Sequence, residues 1–298
     1  MVFYTLKLEG HDELAVSGTV EAGGKLVLAG TLKALPPSPA AATLNAGEVG
    51  KGWKFPIGGG QEIVVRYVPG GTFRMGSPAS EDGHESDETE HRVTLGSHYW
   101  MGETEVTQGQ WEAVMGSNPS HFTGDPALPV ENVSWEDAQG LIKALNTRCA
   151  LPAGWKWALP SEAQWERACR GGSTTATAYG DSLSSAQANF RGDFPYGGAA
   201  KGSWLEKTAP VKSYKANAYG LHDMHGNVWE WCADWYGAYP AGAATDPAGP
   251  NSGSGRVLRG GSWYSDGSYC RSATRYWNAP DIRSHDSGFR LAAVPAGL

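Results

Sequence analysis

A chain of 298 residues is long enough to bury a sizeable core in one large domain or two small ones. Its formal charge of −7, with no Lys/Arg cluster, argues against nucleic acid or an anionic membrane as partner, and no apolar run reaches the ~18 residues of a bilayer span. The 41 Gly and 13 Trp point to an aromatic core threaded by loops and turns, not to a helix bundle.

In chain order, residues 3–34 show short alternating stretches (FYTLKLEG, LAVSGTV, KLVLAGTL) between Gly-rich turns, the pattern of a small β-rich element. Pro36, Pro37, Ser38, Pro39 and an Ala run form a linker by composition. The boundary near residue 50 gives an N-terminal element over 1–50 and a main domain over 51–298. The N-terminus lacks the basic-then-apolar order of a secretory signal, so the chain is expected in the cytoplasm or exported by another route.

Three helices announce themselves through capping boxes, in which a Ser or Thr side chain and the residue three positions on satisfy each other's orphan amides. These pair Thr107 with Gln110, Ser134 with Asp137 and Ser161 with Gln164. Behind Ser134, the residues Ala138, Leu141, Ile142 and Leu145 share one helical face. The stretches EIVVRYV, HRVTL, RVLRG and FRLAAV read as strands between long loops. Consecutive acids in EDGHESDETEH (81–91) read as a solvated loop. Trp229, Trp231 and Trp235 read as core residues and not as a sugar platform. His222 and His225, three apart beside Gly and Asn, read as imidazoles bonded to local backbone. Cys149, Cys169, Cys232 and Cys270 have neither CxxC nor zinc-like spacing.

Seven blocks occur in order: PGGTFRMGS, HRVTLGSHYWMGETEVTQGQW, PVENVSWEDA, LPSEAQWERACRGG, GLHDMHGNVWEWCADWY, RVLRGGSW and GFRLA. Together, over residues 60 to 293, they resemble the formylglycine-generating-enzyme (sulfatase-modifying factor) family. The resemblance implies an α+β, C-type-lectin-like fold with much irregular structure. That family holds a copper oxidase, iron enzymes and non-catalytic binders such as the variable proteins of diversity-generating retroelements. The oxidase carries a cysteine pair in the pattern GGSxxCxxxxC, whose soft thiolates suit Cu(I). Here Ser265 stands at the first position and Cys270 at the second by one count and at neither by another, so no copper is expected and the chain reads as no enzyme. A copper oxidase or related metal-dependent enzyme is the alternative. The resemblance further implies one structural Ca²⁺ held by Asp223, Gly226, Val228 and Glu230, with Glu105 as a further acid; hard oxygen donors on an irregular loop suit that ion. A second family site starting at Asn189 and Phe190 lacks its acid near Ser203. The family also has a disulfide beginning at the position of Cys169, so Cys169 and Cys270 are either bridged or two buried thiols.

The segment 256–291 carries the functional signal. Between GGSW and GFR anchors, Tyr264–Ser287 contains no Lys, Glu, Gln or Met, although these types make up 40 of the 298 residues. Tyr and Trp supply contact area at low entropy cost, while Ser, Asn and Gly supply adaptable hydrogen bonds, as in an antibody paratope. In the retroelement proteins that the segment resembles, mutagenesis at template adenines produces Tyr, Ser, Asp, His, Thr or Ile from Asn codons. Tyr264, Ser265, Asp266, Tyr269, Thr274, Tyr276, Asn278, Ile282, Ser284, His285, Asp286 and Ser287 are all reachable that way, and Trp277 is a fixed position. The expected function is non-enzymatic recognition of a protein or glycan ligand through these side chains.

Overall fold

The structure, a computed structural model, describes residues 2–6, 14–20, 26–28 and 47–297. Strands β1 (Val2–Leu6), β2 (Leu14–Val20) and β3 (Leu26–Leu28) pair antiparallel in sequence order. The expected β-rich element is therefore present, while the Pro/Ala linker lies outside the described residues.

In the main domain the chain runs through β4 (Gly52–Gly58), β5 (Gln61–Val68), β6 (Gly71–Met75), β7 (His91–Leu95) and β8 (Tyr99–Gly102). Helices α1 (Gln108–Met115) and α2 (Trp135–Arg148), strand β9 (Trp155–Ala158) and helix α3 (Glu162–Arg170) follow. The last third holds β10 (Trp229–Trp235), β11 (Ala244–Thr245), β12 (Arg256–Arg259), β13 (Arg275–Asn278), β14 (Ser287–Gly288) and β15 (Ala292–Pro295). They form sheets of order β4-β5-β8-β15-β9, β11-β7-β6 and β13-β12-β10-β14.

All three capping boxes form as their sequences dictate. Each cap residue is extended and accepts the N3 amide, which is why these helices start where local chemistry says they should. On α2 the stripe Ala138, Leu141, Ile142 and Leu145 is buried. It packs into a core with Trp100, Trp157, Trp231 and Phe289. Two of these buried indoles find backbone partners: Trp231 Nε1 donates to Val133 O at 3.0 Å and Trp157 Nε1 to Cys149 O at 3.0 Å.

The FRLAAV stretch becomes a strand only from Ala292. Before it, Phe289 O and Leu291 O accept the amides of Val106 and Gly102, and Arg290 spends its guanidinium on Glu230, Gly102 O and His222 O. Ala292 pairs with Met101 on one side and Ala158 on the other, so β15 joins β8 to the edge strand β9 in the five-stranded sheet. With β12 at one end and β15 at the other, residues 260–291 are tied at both ends and pinned between them by the short strands β13 and β14.

Strand β10 also supports α3. The Asp234 carboxylate accepts the Glu162 backbone N–H at 2.8 Å in the first turn. Burial, followed by the neighbouring Glu162 charge, raises the Asp234 carboxyl to about 7. A carboxyl raised on folding contributes stability at low pH and loses it as pH climbs through that value. Urea titrations at pH 5 and pH 8 should therefore show the parent losing stability with pH, and Asp234→Asn losing less by about one proton of linkage. Equal losses would contradict this assignment.

Candidate functional site

Four arginines of the C-terminal segment are buried, and each meets an acid from elsewhere in the chain. Arg259 pairs with Glu166 at 2.5 Å and donates to the carbonyls of Ser272, Ala273 and Thr274. Arg271 meets Glu88 at 2.7 and 2.8 Å and Glu81 at 2.8 Å. Arg275 makes a two-pronged contact with Glu162 at 2.7 and 2.9 Å and lies over the Tyr239 ring. Arg290 does the same with Glu230, both distances 2.6 Å. Burial alone would raise Glu162, yet the Arg275 and Arg259 charges hold it below the usual carboxylate range. The 81–91 run is therefore not simply solvated. Glu88 is fully buried against Arg271, and Asp87 O accepts from Arg275 Nη1. A charge run looks like a hydrated loop until its partner, nearly two hundred residues later, is known.

Upon this frame the sequence-predicted residues divide into groups. Tyr264, Tyr269, Tyr276, Trp277 and Ile282 keep between 41% and 57% of their surface exposed, and His285 is exposed as well. Tyr276 and Trp277 lie on β13, the edge strand of its sheet. Ser265, Asp266, Asn278, Ser284 and Asp286 are half-buried and partly committed. Ser265 Oγ accepts the Ser262 N–H at 3.0 Å, and Asp286 accepts from Ser284, Ser287 and Ser262 hydroxyls. Thr274 and Ser287 are buried and stand apart from the exposed set: Thr274 Oγ1 donates to Ser268 O, and Ser287 lies in β14 beside Trp229. Close approach explains the flanking glycines. A Cβ at Gly261, where φ is +75°, would sit 2.6 Å from Cys270 Sγ, and one at Gly288 would sit 2.4 Å from Val130 O.

Residues outside the segment extend the surface. Arg191 lies between the rings of Phe194, at 4.4 Å, and Trp204, at 5.2 Å. Trp204 stacks on Trp263, donates to its carbonyl at 2.8 Å and contacts Tyr264. On the other flank, Phe122 meets Trp263 edge-on and the His121 ring lies 5.6 Å from that of His285. Sequence reading missed these residues because they sit in loops without periodicity. Their only signal was aromatic residues in otherwise polar, Gly-rich stretches.

The acids expected to hold calcium are all buried. Glu105 Oε1 has no hydrogen-bond partner, and burial with the Asp223 and Glu230 charges raises its carboxyl well above normal. Asp223 is raised to about 6, chiefly by burial, while its Oδ2 accepts the Lys212 N–H at 2.8 Å. Glu230 is engaged by Arg290 and by Trp165 Nε1 at 2.6 Å. Gly226 and Val228 lie in the same buried loop. Among the described residues, no three His, Cys, Asp or Glu side chains already form a metal cage. Asn189 of the doubted second site is buried with Oδ1 unpartnered, and Phe190 is in the core.

His225 is held by backbone, its Nδ1 donating to Cys270 O at 2.7 Å and its Nε2 accepting the Ala178 N–H at 3.1 Å. Burial lowers it to about 4, so it is neutral. Of the two alternatives for Cys169 and Cys270, the structure has free buried thiols. Cys169 Sγ lies 3.6 Å from Ser272 Oγ and 3.7 Å from His225 Nε2, and burial lifts its pKa to about 12.

A sulfatase-modifying factor enzyme 1-like domain model matches residues 60–294. The chain is 40% identical over 207 residues to the formylglycine-generating enzyme of Streptomyces coelicolor, covering 66% of this chain and 61% of that protein. It is 36% identical over 199 residues to the Mus musculus formylglycine-generating enzyme, covering 61% of this chain and 50% of that one. It thus spans less than two thirds of the length of these relatives. Among solved structures, Treponema denticola variable protein 1 matches with a TM-score of 0.70 at 32% identity, over 82% of this chain and 99% of that one. PvdO from Pseudomonas aeruginosa matches with a TM-score of 0.68 at 27% identity, over 83% and 99%. The fold is accordingly the α+β, C-type-lectin-like one that the seven blocks imply.

The division into frame and surface is measurable. Arg271→Ala strands the buried Glu88 carboxylate without its partner and should cost about 3–5 kcal/mol in urea unfolding. Tyr276→Ala should cost about 1 kcal/mol or less. Comparable losses in the two variants would show that Tyr276 belongs to the frame.

Proposed function

The chain belongs to the sulfatase-modifying factor enzyme 1-like family, and from that premise we propose that it is a non-enzymatic ligand-binding protein whose segment 256–291 is diversified by a retroelement to recognise varied protein or glycan surfaces. One observation carries the reading: exposed Tyr264, Tyr269, Tyr276, Trp277, Ile282 and His285 are interspersed among the buried Arg259, Arg271, Arg275 and Arg290. The arginines fix the backbone, so the exposed positions can change without loss of shape. Half-exposed aromatics on a rigid frame are the composition of binding hot spots. Likeness to Treponema denticola variable protein 1 supports the same reading.

The test is the DNA beside the gene. It should hold a near-copy of the stretch encoding 256–291, differing only where the copy has adenine, together with a reverse transcriptase gene. A flanking region without such a copy would remove the diversification claim. The second reading, a formylglycine-generating oxidase, is favoured by the 40% identity to the Streptomyces coelicolor enzyme. Its two-thiolate copper site does not fit this donor set, because Ser265 replaces one sulfur and burial pushes the Cys270 thiol well up. Cu(I) binding lost in Cys270→Ser would favour the oxidase and count against the binder.

A structural Ca²⁺ held by Asp223, Glu105, Glu230 and the Gly226 and Val228 carbonyls is part of the proposal. The orphaned Glu105 oxygen, beside the two further buried carboxylates of Asp223 and Glu230 that raise its carboxyl, is what suits a hard cation. The ion would supply charge neutralisation to this loop. Calcium should raise the melting temperature of the parent and leave Asp223→Ala unmoved. Identical parent melting curves with calcium and with chelator would end the claim.

A further inference from the structure

A cleft of about 980 Å³ lies between the β6–β7 ladder and the C-terminal end of α3, with Arg74 and Arg92 on one wall and Arg167, Ser173 and Thr174 on the other. None of its lining residues belongs to the segment 256–291.

Three features of this cleft leave its positive charge poorly compensated. Arg74 and Arg92 face each other directly in the antiparallel register. Like charges opposite one another on a sheet are destabilising. The nearby Glu90 binds Arg74 at 3.0 Å, but both side chains are exposed and such a pair is worth little. Arg92 is exposed and has no ion pair among the described residues. Arg167 is the third feature. Its Nε and Nη2 donate to Pro69 O at 2.6 Å and Gly70 O at 2.5 Å, and it lies over the Phe73 ring. That fixes the guanidinium in place without neutralising it, and Nη1 has no protein partner among the described residues. Nor is Arg167 consumed as a helix cap: the α3 carbonyls of Ala168 and Cys169 accept the Asn217 amide at 2.7 and 3.1 Å. The cleft's other acid, Glu81, is engaged by Arg271, and Arg170 turns inward to Glu166. In a chain of charge −7, cations placed against each other around one cleft are a local conflict that a ligand would resolve.

We infer that this cleft binds a small molecule carrying two or more phosphate or sulfate groups. Planar guanidinium groups on facing walls match oxyanions bidentately, and a second anionic group would span from Arg167 to the Arg74–Arg92 pair. The inference does not rest on the reading of the C-terminal surface.

The test is isothermal titration of the full chain with pyrophosphate and with a sulfated disaccharide, in calcium-free buffer of fixed ionic strength. At least one probe should bind saturably. Its affinity should fall about tenfold or more in an Arg74→Gln/Arg92→Gln double variant and stay unchanged in Tyr264→Ala. Both replaced arginines are exposed, and an unshifted thermal transition confirms that the double variant folds. Tighter pyrophosphate binding would identify a phosphorylated ligand and tighter disaccharide binding a sulfated saccharide. The inference is overturned if neither probe binds, if the double variant binds as tightly as the parent, or if binding is lost in Tyr264→Ala instead.

Discussion

Four guanidinium groups pinned beneath the C-terminal segment hold the rest of this molecule in register. Arg259, Arg271, Arg275 and Arg290 reach acids contributed by α3, by the 81–88 loop and by β10. A buried ion pair gives little net stability compared with well-packed apolar residues, but removing one member leaves an expensive uncompensated charge. Such pairs therefore punish any other register severely. Here they join strands and loops far apart in sequence, and they leave the exposed intervening side chains free of that task.

That freedom separates shape from surface. In an ordinary loop, the residues facing water also help to hold the loop, and changing them changes its path. In this one, arginine forks, glycines at close approaches and the Ser262–Asp286 hydroxyl net set the path. Tyr264, Tyr269, Tyr276 and Trp277 then stand on it much as paratope aromatics stand on an immunoglobulin frame. The surface does not end with the segment. Phe194, Arg191 and Trp204 continue it as a stacked ladder whose rings and guanidinium are already ordered, which lowers the entropy cost of any contact made there.

What could be read from the sequence was local. Capping boxes at Thr107, Ser134 and Ser161 span four residues, and the apolar stripe of α2 spans eight, so both were visible without knowing the fold. The exposure of Tyr264 and Tyr276 also followed from composition. What escaped was long-range. Glu88 looked like one acid among many because Arg271 lies 183 positions away. Thr274 and Ser287 share the small polar character of their neighbours, and only the backbone path turns them inward. The strand expected from Phe289 begins at Ala292, since the Phe289 and Leu291 carbonyls go to amides of a distant segment that no periodicity reveals.

The central claim is that the exposed positions carry no share of the frame's stability. A displayed library in which Tyr264, Tyr269, Tyr276, Ile282 and His285 vary over Tyr, Ser, Asp, Asn, His, Thr and Ile measures this directly, scored by resistance to protease. The account predicts that most members survive as the parent does. Loss of most members, with survivors returning to the parental side chains, would contradict it.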